Sequence, residues 1–272
     1  MGQILSCLRA GEPPAAPPVQ EKPAPAQAPA QAPAGVKAAA EEFNPAPPAA
    51  VPAEPAKKQL DTPEIRTIPK MVKIAVAYYS TYGHVAALAH RVLEGANSVE
   101  GVDAKLYRVA ETLPPEVLRL IHAAPQDESV PIIEAKDLPD FDGFIFGFPT
   151  RFGSIPAQFK TLIDATGGLW ASGGLVGKGF SVFTSVGTQG GGTETTIFTS
   201  LPPFVHHGMI YIPPGFTYGK DLFSYSEVRG GSPWGAGIIA GSDGSRQPSE
   251  LELNIAEHQG KYVADKILKL AA

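Results

Sequence analysis

The sequence predicts an α/β fold: a five-stranded parallel sheet in the order 2-1-3-4-5, with helices covering both faces. Two observations predict it. From Met71 onward, apolar runs of strand length alternate with segments whose apolar residues recur at helical spacing. Such alternation means βαβ units, whose crossovers lay successive strands parallel in one sheet. Turns rich in Gly, Ser and Thr follow the first, third and fourth strands, at the carboxyl ends where open α/β sheets bind ligands.

The elements follow in order. Val72 to Tyr79 is a short apolar run, the type of a buried parallel strand. Val85 to Val99 has helical spacing through Val85, Leu88, Ala89, Val92 and Leu93. Val102 to Arg108 reads as the second strand and Gly143 to Phe148 (G-F-I-F-G-F) as the third. Gln158 to Ala165 reads as a helix and Phe180 to Ser185 as the fourth strand. Thr193 to Val205 reads as a helix that Pro202 and Pro203 should bend or break, since proline removes a donor and crowds the preceding turn. Met209 to Ile212 is the fifth strand, and Glu250 to Leu270 a long final helix. Pro213 to Pro248 has little periodic pattern, and so long a loop in a compact domain is usually functional or at an interface.

Composition divides the chain at about residue 70. More than half of its 28 prolines precede Lys70. The remainder, ~200 residues, is the size of one domain with a full core. Residues 1–70 are Pro- and Ala-rich, with strings such as P-A-P-A-Q-A-P-A, and cannot bury enough apolar area to offset chain entropy. They read as a semi-extended spacer reaching ~45 Å as a flexible coil. The start, M-G-Q-I-L-S, matches the pattern for myristoylation at Gly2, and Cys7 follows where a second acyl chain could attach. One myristoyl chain binds membranes only marginally. Acidic and basic residues balance in this segment, so Cys7 is the expected second signal. The alternative is an ordinary N-terminus that matches by chance. Together these expectations place the protein on the cytoplasmic face of a membrane, the plasma membrane first, with a cytoplasmic pool.

The net charge of −5 and the lack of a basic block argue against a nucleic-acid partner. Cys7 is the single cysteine, so an internal disulfide and a cysteine metal cluster are excluded. His206 and His207 lack acidic or His partners at zinc spacing, so no metal is expected. No G-x-S-x-G hydrolase elbow occurs.

Three turns carry the most distinctive chemistry. Ser80, Thr81, Tyr82, Gly83, His84 and Val85 join the first strand to the first helix. Hydroxyls and backbone N–H groups at a helix start bind a phosphate dianion without Lys or Arg. The loop is neither G-x-G-x-x-G nor a Walker loop, and an ordinary capped turn is the rival reading. After the third strand, Thr150, Arg151 and Phe152 offer a hydroxyl, a guanidinium and an aromatic face, with a solvated Arg151 as the rival. After the fourth strand, Ser185, Val186, Gly187, Thr188, Gln189 and Gly190 open a loop of four glycines, whose backbone amides can touch a flat ligand directly. His84 is equally readable as a capping residue.

These turns, with Tyr79-Ser-Thr-Tyr-Gly-His84, Pro149-Thr-Arg-Phe-Gly153, Thr166-Gly-Gly-Leu-Trp-Ala-Ser172, His206-His-Gly-Met209 and Gly241-Ser-Asp-Gly-Ser-Arg-Gln-Pro248, resemble the WrbA-type NAD(P)H:quinone oxidoreductases. The resemblance runs from about Met71 to the C-terminus. It implies a flavodoxin-like three-layer α/β sandwich that binds FMN and uses NADH or NADPH as co-substrate. It implies two-electron, ping-pong hydride transfer to a quinone. It places the FMN phosphate at residues 80–85, the isoalloxazine ring at Thr150, Arg151 and Phe152, and its polar edge at residues 185–190. His206 is implied as a flavin-proximal proton source, Tyr82 as a nicotinamide contact, and Phe152 and Trp170 as substrate-side walls, Trp170 having core packing as its rival. A homotetramer is implied, with Trp170 serving a neighbour's flavin. Gln189 makes the third loop one residue longer than the family pattern. An FMN-binding electron carrier or membrane-domain scaffold with little turnover is the second functional class.

Overall fold

The computed structural model describes residues 71–272; residues 1–70, with the expected spacer and the acylation positions Gly2 and Cys7, lie outside the described residues. Strands β1 (Val72–Tyr78), β2 (Val102–Arg108), β3 (Gly143–Pro149), β4 (Gly179–Val186) and β5 (Ile210–Tyr211) run parallel in the order β2-β1-β3-β4-β5. In register, Ile74 lies opposite Ala104 on one side and Gly143 on the other.

Strand periodicity explains the two cores. Alternate side chains of β1 point to opposite faces. Ile74 and Val76 join one cluster with Leu88 and Val92 of α1 (His84–Asn97) and Val263 and Ile267 of α6 (Glu250–Leu270). Ala75 and Ala77 join the other, with Phe159 of α3 (Ala157–Asp164) and Phe204 of α5 (Thr193–His206). Here Phe146 sits edge-on to Phe159, centroids 5.3 Å apart, and stacks on Phe204 at 4.9 Å. On the first face α1 and α6 meet backbone to backbone. A Cβ at Gly95 would lie 1.9 Å from the Glu257 carbonyl oxygen, and one at Gly260 would lie 2.0 Å from that of Val92.

The structure departs from the sequence reading in three places. First, α5 runs unbroken through Pro202 and Pro203. Residues 198 and 199, whose carbonyls lose their i+4 donors, are exposed, so water can serve them, while Ile197, Ser200 and Phe204 hold the helix on the sheet. Second, the fifth strand position is split. β5 covers only the start of β4, beside Gly179 and Phe180. The chain then leaves the sheet and returns as β6 (Gly237–Ile239), which pairs with Thr184, Ser185 and Val186. Third, α2 (Pro115–Leu120) and α4 (Gly167–Ser172) are six-residue helices that periodicity is too short to reveal. Among the described residues no helix is long and apolar enough to cross a membrane.

Candidate active site

A cavity of about 560 Å³ opens at the carboxyl ends of the strands, where β1, β3, β4 and β6 deliver their following loops. That volume suits a cofactor-sized ligand. The first loop contributes Ser80, Thr81, Tyr82, His84 and Val85, the second Thr150 and Arg151, and the third Ser185, Val186 and Gly187. Thus three turns that are remote in sequence converge on one site.

The first loop presents a helix start. Gly83 is the N-cap of α1 at φ 89°, a left-handed conformation that favours glycine. No side chain caps α1, and its first turn carries no acidic residue. Helix-start N–H groups, with the positive end of the helix dipole, have the donor chemistry that suits an anion. Ser80 Oγ accepts from Gly83 N–H at 3.1 Å and so shapes the turn. His84 is buried, and its Nε2 lies 3.0 Å from the Arg246 carbonyl, which can only accept; Nε2 therefore carries the proton. His84 does not cap α1; it lines the cavity and ties the first loop to Arg246.

Arg151 bridges the first two loops. Its Nη1 donates to the Thr150 carbonyl at 2.9 Å, and its Nη2 to Thr81 Oγ1 at 2.8 Å. Behind it, the Thr81 hydroxyl lies 3.4 Å from the Tyr79 hydroxyl, which donates to Glu111 at 2.8 Å. Burial pushes the Tyr79 phenol up to about 12, with Glu111 adding to the effect and Thr81 opposing it, so this group keeps its proton as a donor. Burial also pushes the Glu111 carboxyl upward. Hydrogen bonds from Leu113 N–H, Gln158, Tyr79 and Thr112 N–H outweigh it and hold Glu111 below its ordinary value. The guanidinium is thus seated on a polar chain that ends on an ionised carboxylate. Thr150 Oγ1 accepts from Thr196 Oγ1 at 2.7 Å and from Gly153 N–H at 3.1 Å, which braces the second loop against α5.

The chain belongs to the NADPH-dependent FMN reductase family. Its family model matches residues 73–221. Over 192 residues the chain is 53% identical to quinone-oxidoreductase QR2 of Triphysaria versicolor, covering 71% of this chain and 93% of that protein. It is 50% identical over 214 residues to the probable NAD(P)H dehydrogenase (quinone) FQR1-like 2 of Arabidopsis thaliana, covering 77% and 78%. A solved structure, the flavodoxin, WrbA-like protein from Agrobacterium tumefaciens, aligns at TM-score 0.49 and 22% identity over 73% of this chain and 98% of that one.

Not every expected residue of this family member reaches the cavity. Thr188, Gln189 and Gly190 are exposed and do not line it; the third loop's contribution ends at Gly187. Phe152 follows Arg151 but is fully exposed, at φ 55°. Trp170 and His206 lie away from this chain's cavity. α5 descends from the site end of β4, and His206 at its far end is ~20 Å along the helix from Thr193. There His207 Nε2 meets Thr166 Oγ1 at 2.7 Å, next to α4 and Trp170, at the opposite end of the sheet. Within one protomer neither His206 nor Trp170 touches the cavity.

Two sets of lining residues escaped sequence reasoning. Ile121, His122 and Ala124 come from the turn after α2, where Ala124 N–H donates to the Thr81 carbonyl at 2.9 Å. Ala240 to Gly244 follow β6. The string Gly241 to Pro248 was visible as a motif, and a strand before it was the missing signal. Among the described residues, no group of three or more His, Cys, Asp or Glu could hold a metal.

Proposed function

We propose that this protein is an FMN-dependent NAD(P)H:quinone oxidoreductase that reduces quinones to hydroquinones by two electrons. One observation carries the reading. The cavity's inner end is an uncapped helix start beside hydroxyls, with Arg151 seated on Thr81 and Thr150, as a phosphate on a flat ligand requires. FMN fits this site in volume and donor chemistry, and family membership supports it. The relatives in Triphysaria and Arabidopsis, named a quinone oxidoreductase and a probable NAD(P)H dehydrogenase (quinone), support quinone and NAD(P)H as substrates.

When bound, FMN supplies hydride chemistry between the nicotinamide and the quinone; the protein supplies orientation and electrostatics. Residues 80–85 hold the phosphate, with N–H groups of α1 as donors. Thr150 and Arg151 would hold the ring, Phe152 would cover it from outside the cavity lining, and backbone at Ser185, Val186 and Gly187 would meet its polar edge. Tyr82, half-exposed at the mouth, is the nicotinamide contact.

Trp170 is 60% exposed, as are Phe198 and Val205 along α5. Exposed aromatic and aliphatic groups supply the apolar contacts of an interface where they form one contiguous patch. We read them as surfaces of a homotetramer in which Trp170 and His206 of one protomer complete a neighbour's site, His206 as proton donor. Residues 1–70 act as a spacer separate from the 71–272 domain. Acylation at Gly2 and Cys7 holds the protein at the cytoplasmic face of the plasma membrane, with a cytoplasmic pool.

The test uses purified full-length protein. It should bind FMN and then oxidise NADH or NADPH rapidly only when benzoquinone is present. A protein that takes FMN but gives negligible quinone-dependent oxidation is a carrier or scaffold instead. A protein that stays colourless with excess FMN removes the reading altogether. Intact-mass measurement of protein from its own cells reports the acyl chains, and Cys7→Ser should release it from membranes.

A further inference from the structure

The most heavily bonded side chain beside the cavity does not line it. Glu252, on the first turn of α6, is fully buried. It begins as half of a capping box: Ser249 Oγ accepts from Glu252 N–H, and Ser249 N–H donates to Glu252 Oε2 at 2.9 Å. A capping-box glutamate needs no burial and one acceptor oxygen. This one does more. Its Oε1 accepts from Gly230 N–H at 2.8 Å and from Ile239 N–H at 3.2 Å. Arg246 Nη1 lies 3.0 Å from Oε1 and 2.8 Å from Oε2.

Arg246 carries these bonds to the cavity. Its Nη1 also donates to the Ile239 carbonyl at 2.7 Å, at the end of β6, and its Nη2 to the Val228 carbonyl at 2.8 Å. Its backbone N–H donates to the Ala240 carbonyl at 2.9 Å, which closes the loop holding Ala240 to Gly244. Its carbonyl takes the Nε2 proton of His84 in the first loop. One carboxylate thus holds, through one arginine, both the rim of the cavity and its anion-binding end. The approach is close: a Cβ at Gly230 would lie 2.5 Å from backbone atoms of Gly237 and Ile238.

We infer that Glu252 is a positioning residue for cofactor binding, acting through Arg246 to lock the Ala240–Gly244 rim to the His84 loop. The inference rests on the proposed FMN site. An ordinary cap would support α6 alone. A positioning residue sets the two loops in register before the ligand arrives, so the ligand does not meet the cost of ordering them. The carboxylate is needed because each partner is a donor. A Gln amide in its place would turn an NH₂ toward N–H groups.

The test is a double-mutant cycle on the full-length protein, read as the FMN dissociation constant by fluorescence titration, with thermal unfolding as a parallel control. Glu252→Gln should raise the constant about tenfold in the wild-type background, and much less once His84→Ala has cut the link from Arg246 to the first loop. Equal factors in both backgrounds, or no change in either, overturn the inference, because a cap acting only on α6 is blind to His84. If Glu252→Gln does not fold, Arg246→Lys replaces it in the same cycle. Lysine keeps the charge but cannot span Glu252, Ile239 and Val228 at once. Wild-type protein that takes no FMN overturns the functional reading itself, whereas wild-type binding with an additive cycle overturns this inference alone.

Discussion

Replacing Gly260 with alanine sets two ordinary effects against each other. In a helix interior, alanine is favoured over glycine by about 1 kcal/mol. At this position, however, the new Cβ would sit 2.0 Å from the Val92 carbonyl oxygen, 2.8 Å from its carbon and 3.0 Å from Ala96 N. These atoms are backbone and cannot rotate aside, so α1 and α6 must separate by roughly 1 Å. Overpacking of this kind costs about 1–3 kcal/mol, with the upper end expected where no side chain can yield. Separation also lifts Leu88, Val92 and Val263 from their contacts, and the net loss should be about 2 kcal/mol. For a domain of this size, that lowers the midpoint by about 4–8 °C. Gly168→Ala is the control: it too is helical, but nothing lies within 4 Å of its Cβ, so only the propensity gain remains. Thermal unfolding of the FMN-free proteins reads both. A Gly260→Ala midpoint equal to or above wild type would refute the reasoning.

Three further outcomes are expected. Arg151→Lys loses the fork that reaches Thr150 and Thr81 together and should weaken FMN binding about tenfold, with a midpoint change under ~2 °C; unchanged affinity would remove Arg151 from the site. Phe152→Asn should leave stability level or raised by up to ~1 kcal/mol, since asparagine tolerates positive φ, yet lower kcat/KM for quinone about tenfold; a destabilised variant with full turnover contradicts both parts. Stability should fall on acidification. The Thr166 hydroxyl proton goes to the Ile163 carbonyl, so His207 Nε2 is the donor to Thr166, and its buried Nδ1 has no partner. Burial therefore lowers the His207 pKa from 6.5. The unfolded chain protonates first, so stability present above pH 6.5 is lost as pH falls through the folded value. His207→Phe should flatten denaturant midpoints across that window, and an unaltered slope would exclude His207 as the cause.

The sheet order was legible because β1, β3 and β4 are seven- or eight-residue apolar runs, while β2, V-D-A-K-L-Y-R, follows a helix with clear apolar spacing. The three loops were legible for a related reason: hydroxyls and glycines directly after a buried strand have few other uses. β6 escaped because three residues, Gly237, Ile238 and Ile239, cannot display a period. With β6 went the Ala240–Gly244 rim, and with the rim Glu252, whose sequence context is that of any helix start. The passage of α5 through two prolines was unreadable because it depends on which carbonyls face water, a tertiary fact. The distance of His206 from the cavity was not legible either: a motif does not record at which end of a helix a residue falls.

The division of the outermost strand has a consequence beyond the site. A parallel sheet ends in a row of unsatisfied amides and carbonyls, on which another chain can build. Here that border is offered as a two-residue piece and a three-residue piece with an excursion between them. An incoming strand finds no ladder long enough to extend. The same interruption that brings the Ala240–Gly244 rim to the cavity therefore leaves this border, unlike the seven-residue β2 at the opposite edge, too short for copies of the protein to join along it.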